Sequence, residues 1–212
     1  MVLKRKVQPQ RISVAVIGEG ITEQYYLQSV KDFVGVNLEP KLPKYSEGFD
    51  YLERKIKECI ELGYPKILCL IDMDNKANAQ NKAMYSKLKD RYHNKIIKNK
   101  KKGLESKIVF FETERCLELW FLYHFQYTTR KFSSYSELER SLKTYIPSYE
   151  KSERFFIKAR GLHRLITKDC KGNFTTALAN STKSVSSKLQ DNRDYTYSEM
   201  SDFFKEITPS SQ

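Results

Sequence analysis

Closely spaced cysteine pairs, long apolar runs and a surplus of acid are all missing from this chain. Its four cysteines, Cys59, Cys69, Cys116 and Cys170, lie too far apart for a CxxC zinc knuckle. Free thiols in a reducing compartment are expected, and no structural zinc. The basic start Met1 to Lys6 is followed only by the short apolar run Val14 to Ile17, too little for a signal-peptide core or a spanning helix. A cytoplasmic protein with no membrane segment is the expectation. No Walker phosphate loop occurs, so control by ATP would have to come from another chain. There is no internal repeat, and the one low-complexity piece is the basic stretch ending in Lys100, Lys101 and Lys102.

What is present is a globular composition with an excess of positive charge. Of 212 residues 40% are hydrophobic, and 38 Lys and Arg against 26 Asp and Glu leave a net charge of +12. Such an excess attracts polyanions, which puts nucleic acid or an acidic membrane surface first among partners.

Hydrophobic patterning predicts an α/β fold. Ile12 to Ile17 is an unbroken β-branched run before a glycine turn, as suits a strand covered on both faces of a parallel sheet. A helix from about Thr22 follows, then a weaker strand over Val36 to Leu42. The positions Tyr51, Leu52, Ile56, Cys59 and Ile60 mark an amphipathic helix closed by Gly63, before the strongest strand, Lys66 to Ile71. A lysine-rich helix from about Ala79 to Lys98, a strand at Lys107 to Phe111 and a helix at Cys116 to Phe125 complete the alternation, which predicts a parallel central sheet flanked by helices. Beyond Tyr135 only helical patterns remain, such as Ser136 to Tyr145 and Ser152 to Thr167. The expected division is a catalytic core over residues 1–125 and a mainly helical extension over 126–212.

In open α/β sheets ligands bind beyond the carboxyl ends of the strands. Here those positions are acidic: Gly18-Glu19-Gly20-Ile21-Thr22-Glu23 follows the first strand and Asp72-Met73-Asp74 the third. Carboxylates gathered at one sheet edge repel and raise one another's pKa, a penalty that Mg²⁺ or Mn²⁺ removes by binding between their oxygens. Electrostatic capping of a helix by Glu19 and Glu23, with Asp74 starting a turn, is the bland alternative. Agreement between two separated segments favours metal. A dinucleotide site is rejected, because Glu23 stands where G-x-G-x-x-G needs its third glycine and would repel a pyrophosphate at the helix N-terminus.

The arrangement Glu19-Gly20-x-x-Glu23 with Asp72-x-Asp74 resembles the Toprim domain of topoisomerases, primases and OLD-type nucleases. That resemblance implies acid–base chemistry at Glu19 and divalent metal at Asp72 and Asp74, with Glu23 a further ligand. The stretch Cys116-Leu117-Glu118-Leu119-Trp120-Phe121-Leu122-Tyr123-His124-Phe125 is similar to the C-F-E-x-W-x-L-x-H-F signature of RloB-like proteins, a Toprim family associated with bacterial phage defence. Leu117 departs from the usual Phe, and Arg115 stands where the family commonly has Pro. The likeness adds Glu118 as a metal ligand and Lys151 as a basic catalytic position. It implies a Mg²⁺- or Mn²⁺-dependent nuclease acting on DNA or RNA, including tRNA, in antiphage defence or abortive infection. A nucleic-acid-binding regulator that works with a separately encoded ATPase is the alternative, and homo-oligomerisation is left open.

Between Lys76 and Lys102 there are ten Lys or Arg and one acid, Asp90. Because the run starts beside Asp-x-Asp, Lys76, Lys82, Lys98, Lys100, Lys101 and Lys102 are expected to contact phosphates near the metals, rather than form only a solvated face. His124, Trp120 and Phe121 are expected in the core, with proton donation the rival role for His124.

Overall fold

The computed structural model describes residues 13–34, 37–41, 48–76, 78–99, 102–191 and 196–208. The first half alternates as expected: β1 (Ser13–Ile17), α1 (Ile21–Val34), β2 (Asn37–Lys41), α2 (Gly48–Leu62), β3 (Lys66–Asp72), α3 (Ala79–Tyr92), β4 (Lys95–Lys98) and β5 (Glu105–Thr113). Helices follow: α4 (Glu118–Tyr123), α5 (Tyr135–Lys143), α6 (Glu153–Ala159), α7 (Leu162–Arg164), α8 (Phe174–Asp191) and α9 (Met200–Ile207). The sheet runs β2-β1-β3-β5-β4. Its first four members in that order are parallel, and β4 pairs antiparallel with β5 at the edge.

The unbroken apolar runs are explained by two covered faces. Val14 and Val16 of β1, Leu68 and Leu70 of β3, and Val109 and Phe111 of β5 join one cluster with α1, α4 and the later helices. The alternate residues Ala15, Ile17, Ile67, Cys69, Ile71, Ile108 and Phe110 join a second with α2 and α3. At roughly 1.5–3 kcal/mol for each large apolar side chain fully buried, both layers hold the strand ends rigid relative to one another. Cys59, Cys69 and Cys116 are buried in these layers, and all four cysteines are free thiols. Among the described residues no helix is long and apolar enough to cross a membrane.

Three elements differ from expectation. The lysine-rich helix stops at Tyr92, where Asn94 takes a left-handed φ of 56° and its N–H turns to Ile108 O, so Lys95 to Lys98 becomes the edge strand. The helix foreseen over Ser152 to Thr167 breaks at Arg160 (φ 50°) and Gly161 (φ 117°), then resumes as α7 and a π-helical turn over Leu165–Asp169. The Cys116 to Phe125 helix is shorter as α4, but i to i+3 bonds from Leu119 N to Cys116 O and from Phe125 N to Leu122 O continue its turns on both sides.

Candidate active site

Three adjacent parallel strands deliver acid to one edge. The turn after β1 carries Glu19, and the first turn of α1 buries Glu23 at 2% exposure. A Cβ on Gly20 would stand 3.2 Å from Glu23 Oε2, so the Glu23 carboxylate lies directly against the turn and would have to shift slightly for any side chain there. Asp72 is the last residue of β3, and its Oδ1 accepts from Leu117 N at 3.1 Å. Met73 N donates to Thr113 O and Asp74 N to Arg115 O, both at 3.1 Å, which laces the turn after β3 to the turn after β5.

That second turn leads into Glu118, fully buried at the start of α4. Its Oε1 accepts from Thr22 Oγ1 at 3.0 Å and from Tyr149 OH at 2.8 Å, and Lys151 Nζ lies 3.3 Å away. Its Oε2 is buried with no hydrogen-bond partner among the described residues. Lys151 is an exposed residue whose ammonium reaches inward over the Tyr135 ring at 5.2 Å. Thr22 and Tyr149 escaped sequence reasoning, because nothing in the local pattern links positions 96 and 31 residues away from Glu118.

Lys76 occupies a place other than the one its sequence position suggested. A 3-10 turn over Asp74–Lys76 folds it back, and its ammonium donates to Glu19 Oε1 at 2.8 Å and Oε2 at 3.0 Å, and also to Asp72 O. Its side chain is 3% exposed beneath the Phe49 and Tyr85 rings, so it neutralises Glu19 instead of facing a phosphate.

The cluster is electrostatically tense. Desolvation, then the neighbouring Glu118 charge, pushes Glu23 up to about 7, with Lys151 opposing. Burial lifts Asp72 well above the usual carboxylate range, reinforced by Glu23, Glu19 and Glu118. Burial also raises Glu19, against the lowering pull of Lys76. Lys151 is raised despite its own desolvation, through attraction to Glu118, Asp72 and Glu23.

Among the described residues no three His, Cys, Asp or Glu side chains stand in a ready-made ligand arrangement. The donor set nonetheless fits a hard divalent cation: it is all carboxylate, its members raise one another's pKa, and Glu118 keeps an orphaned buried oxygen. Glu23, Asp72 and Glu118 are the residues suited to hold such an ion, while both oxygens of Glu19 are engaged by Lys76. Asp74 contributes charge that raises Glu19.

The remaining predicted positions separate. Lys82 is exposed near the start of α3, on the acidic side of the sheet. Lys98 and Lys102 are exposed at the β4–β5 hairpin, where Lys98 pairs in register with Glu105 at the amino end of β5. The nine residues from Glu105 to Thr113 span eight steps, so the hairpin lies about 26 Å from the acidic edge at roughly 3.3 Å per step. Lys100 and Lys101 lie outside the described residues. Among the described residues the run therefore does not form one surface beside the acids, because β4 carries Lys98 to the far end of the sheet. His124 is a core residue, its Nδ1 2.9 Å from Trp120 O and its pKa lowered to about 4 by burial. Trp120 is buried as expected, donating through Nε1 to Tyr26 OH at 2.7 Å.

No curated protein and no solved structure gives a significant match to this chain. The family model described as RloB-like protein matches residues 14–208, which takes in every strand end just described and the helices behind them. The chain belongs to the RloB-like family.

Proposed function

We propose that this protein is a divalent-cation-dependent phosphodiesterase with a Toprim-type site, hydrolysing DNA or RNA, tRNA included, in bacterial phage defence. One observation carries the proposal: Glu19 and Glu23, Asp72 and Asp74, and Glu118 come from the carboxyl ends of three adjacent parallel strands, where α/β enzymes place their chemistry. Membership of the RloB-like family and the basic charge of the chain support it. When bound between these oxygens, one or two Mg²⁺ or Mn²⁺ ions supply an activated water and stabilise the charge that builds on the phosphodiester.

The side chains divide the work by burial. Glu23 and Glu118, screened from water, suit cation binding, while Thr22, Tyr149 and Lys151 fix Glu118 through Oε1 and leave Oε2 for a further partner. Asp72 is oriented by Leu117 N. Glu19 keeps 31% of its side chain open to solvent, so its carboxylate can take a proton from the attacking water or pass one to the leaving oxygen. Lys76 holds it in place.

A second reading has one observation in its favour. Lys76 and Lys151 already compensate the acids at both ends of the cluster, as they would in a site without turnover. A nucleic-acid-binding regulator, paired with a separate ATPase, would have that property. The two readings part when purified protein is incubated with plasmid, single-stranded DNA, total RNA and tRNA, with Mg²⁺, with Mn²⁺ and with EDTA. Cleavage that needs the cation and disappears in Glu19→Gln and Asp72→Asn is the expected result. Absence of cleavage on every substrate, or cleavage that survives both substitutions, sinks the nuclease reading.

A further inference from the structure

The displaced lysine hairpin leaves a question of where a polyanion would approach the acids, and the fold answers it with residues scattered in sequence. Arg115 lies in the turn between Asp74 and Glu118, with φ 69° and its carbonyl accepting from Asp74 N. Its guanidinium is anchored by Nε to Phe132 O at 2.9 Å, and among the described residues neither Nη nitrogen has a hydrogen-bond acceptor. The Phe132 loop also carries Arg130 and Lys131, both exposed. Thr196 Oγ1 donates to Arg130 O at 2.6 Å and Glu114 N to Tyr197 O at 2.8 Å, so the three segments form one ledge at the carboxyl end of β5. From α8, Lys183 lies 4.2 Å above the Tyr127 ring and Lys188 lies 3.2 Å above Tyr197.

Glu114 lies on the ledge beside Arg115, and its charge acts on Lys188 and Tyr197, while the other acids nearby are engaged. Glu112 is buried and accepts from Tyr85, Tyr197 and Lys89. Glu199 accepts from Glu112 N, and Glu137 accepts from Ser133 N while facing Arg130 at 3.9 Å. The ledge therefore presents positive charge next to the acid cluster. We propose that Arg115, Arg130 and Lys183 hold the phosphates of a nucleic-acid strand as it reaches the acidic edge, with Arg115 as the innermost, positioning contact. An anchored guanidinium has the planar fork that matches a phosphate, and lysines on tyrosine rings supply further charge along the backbone. The destination of the strand rests on the nuclease reading; the binding surface does not.

Fluorescence anisotropy with short labelled single-stranded RNA and DNA, in EDTA, isolates binding from cleavage. Arg130→Glu combined with Lys183→Glu is expected to weaken binding about tenfold or more and to lower the slope of log affinity against log salt by about 2. Arg115→Gln is expected to weaken it several-fold, with Arg115→Lys recovering part, while Lys98→Glu with Lys102→Glu stays near wild type. Melting curves that match wild type show that the variants fold. Loss of binding in the Lys98 and Lys102 pair instead, unchanged binding in folded ledge variants, or no binding by wild type overturns the proposal. If the acids are needed for cleavage while ledge variants bind normally, the ledge alone fails. If ledge binding is lost as expected but no substrate is ever cut, the nuclease reading alone fails.

Discussion

Glu118 is fully buried, and among the described residues only one of its oxygens is engaged, which makes its energetic role separable from its chemical one. Removing the carboxylate in Glu118→Ala strips Lys151, Tyr149 and Thr22 of their shared partner. A loss of about 3–5 kcal/mol in urea denaturation is expected, whereas Glu118→Gln keeps an acceptor for the two hydroxyls and should cost clearly less. Equal losses in the two variants would show that the pair with Lys151 carries the whole effect. Glu23 gives a pH signature. Its folded value of about 7 stands above its ordinary 4.5, so the folded chain binds this proton more tightly than the unfolded chain. Stability from this group is complete below about pH 4.5 and is lost as pH rises through about 7. In EDTA the wild type should lose on the order of 3 kcal/mol more than Glu23→Gln between about pH 4.5 and pH 8, at roughly 1.4 kcal/mol per pKa unit. Parallel profiles would contradict the burial of a charged Glu23. At this scale the sequence revealed the acids, because they sit immediately after recognisable strands. It did not reveal that Lys76 folds inward, since a charge run says nothing about which single lysine a 3-10 turn will reverse.

Elements with strong apolar periodicity were legible and their ends were not. β1, β3 and β5 announce themselves because both faces are buried, so nearly every residue is apolar. The stop of α3 depends on Asn94 adopting a left-handed conformation and on His93 Nδ1 accepting from Phe110 N, contacts with a strand that follows later in the chain. No helical signal foretells that. Gly172 is a comparable case, at the close of the π-helical turn. A Cβ there would meet Ile166 O at 2.9 Å, His124 Cβ at 3.0 Å and Phe125 at 3.0 Å, two of them on the rigid backbone and Cβ framework. Gly172→Ala is therefore expected to cost about 1–3 kcal/mol through overpacking, read from the shift in urea midpoint. Gly20→Ala should behave differently, because the only near atom is the movable Glu23 carboxylate at 3.2 Å. Little stability is expected to be lost there, and under the proposed cation site the affinity for Mn²⁺ is expected to fall several-fold as Glu23 is displaced; a wild-type Mn²⁺ affinity would argue against the close seat of that carboxylate.

For the molecule as a whole, the α/β class and the helical second half could be read from alternation alone, and the resemblance at Cys116 to Phe125 pointed to the family that the chain belongs to. The positive surface could not be placed that way. β4 returns antiparallel and takes Lys98 and Lys102 to the opposite end, while Arg115, Arg130 and Lys183 are brought together only by the packing of α4, α8 and the turns between them. The acid cluster, by contrast, follows from the rule that parallel strands share one carboxyl edge. Under the proposed function these carboxylates hold a divalent cation. Electron paramagnetic resonance of free Mn²⁺, titrated with wild-type protein and with Asp72→Asn, tests this most directly. Wild type is expected to remove the free-ion signal at protein concentrations where Asp72→Asn, folded by its melting curve, leaves it standing; identical titrations for the two proteins would rule out a cation at these carboxylates.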